Sequence, residues 1–151
     1  IPATLIDKIV AAKNYLAAYG QVRQLHYGII DMAWHTLTAL PDVSTLEFER
    51  QVLSSTAIMP SVEGTASSPA FGHIFQGGYS AGYYSYLWAN VLDNDAFEAF
   101  KENGIFDAKT AKLFRENVLE KGDSEDPMTL YKNFRGAEPQ LEPMLKNRGM
   151  K

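Results

Sequence analysis

Apolar residues recur at helical spacing along almost the whole of this sequence, and no stretch alternates in the way a half-buried strand would. Leu5, Ile6, Ile9, Val10, Leu16 and Ala17 mark a first amphipathic helix with Thr4 as its cap, since Pro2 cannot sit deep inside it. Gly20 interrupts that pattern. Val22, Leu25, Ile29, Met32, Ala33, Thr36, Leu37 and Leu40 then define a second face running to Pro41, so two packed helices are expected. Ser44 stands three residues before Glu47, a capping-box spacing that opens a short third helix ending before Pro60.

From Met59 to Gly78 the texture changes: Pro60, Pro69, Gly64, Gly72, Gly77, Gly78 and a Thr-Ala-Ser-Ser run replace the periodicity. A long loop is predicted. Such loops inside a compact domain are usually binding loops or lids, the alternative being a plain connector. Ser80 to Asn103 reads as a long helix stopped by Gly104, which Asp93 and Asp95 could bend or break. Asp107 caps a helix ended by Gly122, Asp126-Pro127 opens one from Met128 to Phe134, and a last short helix spans Gln140 to Asn147. The expectation is an all-α chain, residues 1–151 forming one domain of six to seven helices with one long Gly-rich loop.

Composition narrows the function classes. With 46% hydrophobic and 21% charged residues the chain can bury a core, and no apolar run is long enough for a membrane span. Fourteen basic against eighteen acidic residues give a net charge of −4 without a basic run, so neither nucleic acid nor membrane is an expected partner. Zero cysteines exclude disulfides, thiolate metal sites and a cysteine nucleophile. They are compatible with a reducing compartment, and a cytoplasmic location is expected, with a periplasmic or secreted one left open. The start Ile1-Pro2-Ala3 resembles neither an initiator segment nor a signal peptide, so the chain is expected to begin inside a longer protein or after processing.

Tyr79, Tyr83 and Tyr86 are spaced i, i+4, i+7, which on a helix aligns three phenols along one face while Tyr84 points elsewhere. A neutral phenol can donate to an oxyanion or a peptide carbonyl; the same stripe could equally pack a core. His73 lies in the adjoining loop and could bond a substrate carbonyl or move a proton, or serve structure alone. Asp31 and His35 stand i, i+4 on the second helix, either as a helix-stabilising pair or as two ligands of a metal site with no evident third. None of His26, His35 and His73 begins an HExxH motif, and the nucleophile elbow and phosphate- and dinucleotide-binding glycine motifs are absent.

The segment FGHIFQGGYSAGYYSYLWANVL, Phe71 to Leu92, resembles the substrate-binding signature of the thimet oligopeptidase family of zinc metallopeptidases. Similarity continues through the Asp31–His35 spacing, through GIFDAKTAKLFRENVLEKGDSEDPMTLYKNFRG and into PMLKNRGMK, covering essentially the whole chain. Bacterial peptidyl-dipeptidases (dipeptidyl carboxypeptidases) are the nearer branch in flavour and the oligopeptidase A branch second. The resemblance implies that this is the C-terminal part of a larger helical metallopeptidase. Its zinc ligands and general-base glutamate would lie upstream, so zinc belongs to the full-length enzyme and none is expected on this fragment, which alone should cleave nothing. It further implies short peptide substrates, the remainder of the catalytic domain as partner, Tyr83 and Tyr86 as donors to the tetrahedral oxyanion, His73 and Tyr79 as contacts to the substrate backbone, and Gly77 and Gly78 as the flexible loop that folds over bound peptide. Release of C-terminal dipeptides is the expected activity. One departure stands out, since Gly136-Ala137-Glu138-Pro139 places Ala where relatives often carry Arg. A rival reading is a stand-alone helical module that binds extended peptides without chemistry.

Overall fold

The computed structural model describes residues 1–151 and is all helical, with eight α-helices and no strand. In chain order these are α1 (Ala3–Ala12), α2 (Ala17–His35), α3 (Thr45–Leu53), α4 (Gly72–Gln76), α5 (Ser85–Asn103), α6 (Ala108–Phe114), α7 (Pro127–Arg135) and α8 (Glu142–Asn147). The chain divides into two compact units, Ile1–Leu87 and Trp88–Lys151. No helix is long and apolar enough to cross a membrane.

Helix ends follow local chemistry where a side chain can satisfy a free amide. Ser44 accepts from the Glu47 amide at 3.2 Å, Asp107 from Thr110 at 2.7 Å and Asp126 from Thr129 at 2.8 Å, with Pro127 in the first turn of α7. Gly136, at φ +79, ends that helix. Elsewhere the boundaries move. The first break falls at Lys13–Leu16, where Leu16 adopts φ +56, and Gly20 lies inside α2 with its amide on the Leu16 carbonyl. Helix α2 stops at His35 rather than running to Pro41, and the Thr36 amide and hydroxyl both bond the Met32 carbonyl at its end. Pro2, not Thr4, precedes α1.

The first unit departs from expectation in one more respect. No residue of α1 is buried, and Leu5, Ile6, Ile9 and Val10 are all exposed, so the apolar stripe read from the sequence exists but is uncovered in this chain. The predicted loop also contains structure, a 3₁₀ turn at Ser68–Ala70 and the short helix α4, which supplies the helix beyond the seven expected.

In the second unit Ala96 and Ala99 of α5 pack against Tyr131 and Phe134 of α7, with Leu92, Phe100, Phe114 and Val118 around them. Helix α5 passes Asp93 and Asp95 without a break. Asp95 is buried and takes the Tyr131 hydroxyl at 2.5 Å, so its carboxylate does not compete for the helix backbone. After Phe114 the chain winds into a π turn, Arg115–Leu119, with the Glu120 amide on the Arg115 carbonyl at 2.8 Å.

Candidate functional site

His73, Tyr79, Tyr83 and Tyr86 meet in one cluster within the first unit. The His73 ring centroid lies 5.3, 6.0 and 5.9 Å from those of Tyr79, Tyr83 and Tyr86, and Tyr86 lies 5.1 Å from Tyr79 and 5.2 Å from Tyr83. The His73 Nε2 and the Tyr86 hydroxyl are 3.2 Å apart. Tyr84 is exposed and joins none of these ring contacts.

The three phenols do not sit on one regular helix. Helix α5 begins at Ser85, not Ser80, and Tyr79 to Tyr84 form successive tight turns, Gly82 bonding back to Tyr79 and Ser85 to Gly82. Ala81 is the reason. It adopts φ +55, a left-handed conformation that costs an L-residue about 1–2 kcal/mol and cannot continue a right-handed helix. The hold on it comes from afar: Asp31, fully buried on α2, accepts the Ala81 amide at 2.8 Å on one carboxylate oxygen and the Tyr83 amide at 2.8 Å on the other. His35 Nδ1 bonds the Asp31 backbone carbonyl at 2.8 Å and lies 2.8 Å from the first carboxylate oxygen.

Glu49 of α3 performs a similar service at the other end of the loop. Its carboxylate receives the amides of Ser67 and Ser68 and the Ser68 hydroxyl at 2.8 to 2.9 Å, and Trp34 donates to that same hydroxyl at 2.9 Å. Neither acid has a lysine or arginine three or four positions away on its own helix. That was the available signal for both, because a buried carboxylate without a neighbouring cation must find its donors elsewhere in the fold. The expected exchange behaviour in this chain is therefore uneven: amides of Ser67, Ser68, Ala81 and Tyr83 should exchange more than about tenfold slower than those of residues 61–64, as hydrogen–deuterium exchange would measure. Uniformly fast exchange from Ser61 to Tyr83 would show that the two carboxylates hold nothing.

The two glycines at the loop's end have distinct roles. At Gly77 a Cβ would lie 3.0 Å from the His73 carbonyl oxygen, so a side chain there would crowd the backbone of α4 at His73. Gly78 takes φ +76 in open space, where the strain of a side chain would be conformational rather than steric.

Exposure separates the site from a core stripe. His73 is exposed, as are Tyr79 at 36% and Tyr86 at 37%, while Ile74 beneath them is fully buried. Tyr83 is half-buried, its hydroxyl donating to Gln24 at 3.2 Å and its ring meeting Tyr27 and Phe71 edge-on at 5.6 and 5.1 Å. Burial pushes the Tyr83 phenol above its ordinary pKa, the Tyr27 phenol adds to this and the Arg23 guanidinium opposes it. The Tyr86 phenol is also raised, first by its hydrogen bond with Tyr79. Both therefore stay neutral donors at physiological pH. What the arrangement can do chemically is offer the Tyr79 and Tyr86 hydroxyls and one imidazole to a carbonyl or an oxyanion, with the Tyr83 hydroxyl joining them when it exchanges its Gln24 acceptor for that oxygen.

No group of three or more His, Asp or Glu side chains could hold a metal ion. Asp31 and His35 do not fit zinc, since each Asp31 carboxylate oxygen already receives an amide, the His35 Nδ1 is bonded to the Asp31 carbonyl, and no third ligand stands by. Of the arginines near Ala137, Arg135 is engaged with Glu102 at 2.9 Å on both terminal nitrogens and Arg148 reaches Asn90 at 3.4 Å. Glu138 pairs with Lys132.

The chain belongs to peptidase family M3, whose model matches residues 1–150. It is 48% identical to oligopeptidase A of Escherichia coli over 100% of this chain and 22% of that protein. It is 38% identical to dipeptidyl carboxypeptidase of Salmonella typhimurium (99% and 22%) and 35% identical to saccharolysin of Saccharomyces cerevisiae (99% and 21%). The chain thus spans about a fifth of the length of the curated relatives it matches.

Proposed function

We propose that this chain is one wall of the active-site cleft of a zinc metallopeptidase, with Tyr83 and Tyr86 donating to the tetrahedral oxyanion and His73 and Tyr79 contacting the substrate backbone. Gly77 and Gly78 form the turn that lets this segment close over a bound peptide. The observation that carries the reading is the exposed convergence of His73, Tyr79 and Tyr86 on the half-buried Tyr83, in a chain that belongs to a peptidase family. Zinc, when bound in the full-length protein, polarises the scissile carbonyl and activates water; its ligands lie outside these residues. The uncovered apolar stripe of α1 is a surface for the remainder of that catalytic domain.

The chain is more similar to oligopeptidase A than to dipeptidyl carboxypeptidase, so cleavage of oligopeptides stands beside the release of C-terminal dipeptides read from the sequence. The test is hydrolysis, by the full-length protein, of a matched pair of peptides that differ only in a free or an amidated C-terminus. Both should be cleaved, cleavage should stop on chelation and return with zinc. Cleavage of the free-carboxylate peptide alone would establish dipeptide release, and activity indifferent to chelation would refute the metallopeptidase reading.

A further inference from the structure

Tyr83 is gripped from three sides by a single face of α2. Gln24, Tyr27 and Asp31 stand at i, i+3 and i+7, which on a helix brings them into line. Gln24 takes the hydroxyl, Tyr27 meets the edge of the ring, and Asp31 takes the Tyr83 amide. Asp31 also holds Ala81, two residues earlier, at φ +55. Two backbone donors, the amides of Ala81 and Tyr83, each take one oxygen of this fully buried carboxylate at 2.8 Å, while the His35 Nδ1 bonds the Asp31 carbonyl and stands 2.8 Å from the first carboxylate oxygen. An amide side chain could not accept both amides in this way, because it has one acceptor oxygen where a carboxylate has two. A helix-stabilising pair with His35 would need no such arrangement, since one oxygen would suffice.

We infer that Asp31 is a positioning residue for the oxyanion donor Tyr83: its carboxylate pins the left-handed turn at Ala81 and the Tyr83 amide, and so sets where the phenol stands, with His35 orienting the carboxylate. The inference rests on the reading of Tyr83 given above. Asp31 touches no reacting atom and acts through Tyr83. It follows that its importance depends on the Tyr83 hydroxyl being present, a dependence that a general contribution to folding would not show.

The test is a double-mutant cycle in the full-length protein, with kcat and KM measured separately. Asp31→Asn should lower kcat by about 10- to 100-fold with KM changed less than about twofold, because a misplaced donor is missed chiefly in the transition state. In the Tyr83→Phe background the same substitution should cost less than about threefold, since the group it aims is gone. Ala81→Gly, which makes the left-handed turn accessible without the clamp, should recover part of the Asp31→Asn loss. If Asp31→Asn does not fold, His35→Leu takes its place, with a loss of about threefold to tenfold in kcat that again disappears in the Tyr83→Phe background. Equal losses with and without the Tyr83 hydroxyl would overturn the positioning role while leaving the phenol reading intact. Normal turnover of Tyr83→Phe itself would remove the phenol reading, and this inference with it.

Discussion

Replacing Tyr83 or Tyr86 with Phe in the full-length protein should lower kcat about 10²- to 10³-fold, roughly 3–4 kcal/mol of transition-state stabilisation, with KM little changed. Each substitution removes one hydroxyl and keeps a ring of the same shape, so the contacts of Tyr83 with Tyr27 and Phe71 and of Tyr86 with Tyr79 survive. The loss falls on kcat because a phenol bonds a full oxyanion more strongly than a ground-state carbonyl. Tyr84→Phe is the internal control. Its ring lies outside the cluster, and its turnover should stay within about twofold of the parent. Both phenols are raised above their ordinary pKa, Tyr83 by burial and Tyr86 by its bond with Tyr79, so neither ionises below about pH 10. The two variants should accordingly lose rate by the same factor at every pH from 6 to 9. Steady-state kinetics across that range decides the matter, and near-normal turnover of both variants, or a Tyr84→Phe protein as slow as they are, would mean that the cluster is packing.

The second large effect is on stability and belongs to the other unit. Asp95, 2% exposed on α5, accepts the Tyr131 hydroxyl at 2.5 Å and lies 3.5 Å from the Arg135 Nε, which no other hydrogen-bond acceptor serves. Asp95→Ala leaves the Tyr131 hydroxyl and the Arg135 Nε without that carboxylate, while the Arg135 terminal nitrogens keep Glu102. That should destabilise the fold by about 2–4 kcal/mol, the cost of leaving two buried polar groups unsatisfied. Tyr131→Phe removes a donor and keeps the ring, and should cost only about 1–2 kcal/mol. Denaturant unfolding followed by tryptophan fluorescence reads both, and an Asp95→Ala midpoint equal to the parent's would show the network to be incidental.

The same tyrosine sets an alkaline dependence whose sign is fixed. Burial first, then the Asp95 bond and charge, raise the Tyr131 phenol well above its ordinary value. The neutral form is thus favoured in the folded state, so the contribution is complete below about pH 10 and is lost as pH climbs from there toward the higher folded value. Tyr131→Phe should show a flatter loss of stability above pH 10 than its parent.

Several parts of this protein were readable in its residues because they are settled within a turn or two of chain. Ser44, Asp107 and Asp126 cap the helices they precede, and Gly136 ends α7, because each satisfies backbone groups no more than a few residues away. The all-helical class followed from periodicity for the same local reason, and the membership of His73, Tyr79, Tyr83 and Tyr86 in one site followed from a family resemblance spread over the same short stretch. The geometry of that site was another matter. Helical spacing aligned three phenols on one face, whereas the chain turns at Ala81 and the cluster assembles from α4, two tight turns and the first residues of α5. A carboxylate fifty residues upstream, Asp31, makes the turn possible by accepting two amides that a helix would have used otherwise, and Glu49 does the same for Ser67 and Ser68 from eighteen residues away. Long-range bonds of this kind leave no periodic trace, because their partners are fixed by where α2 and α3 carry the two acids in space. Asp93 and Asp95 show the converse: two residues that disfavour a helix interior are tolerated in α5, and for Asp95 the reason is a hydroxyl on α7 that only the folded unit brings within reach.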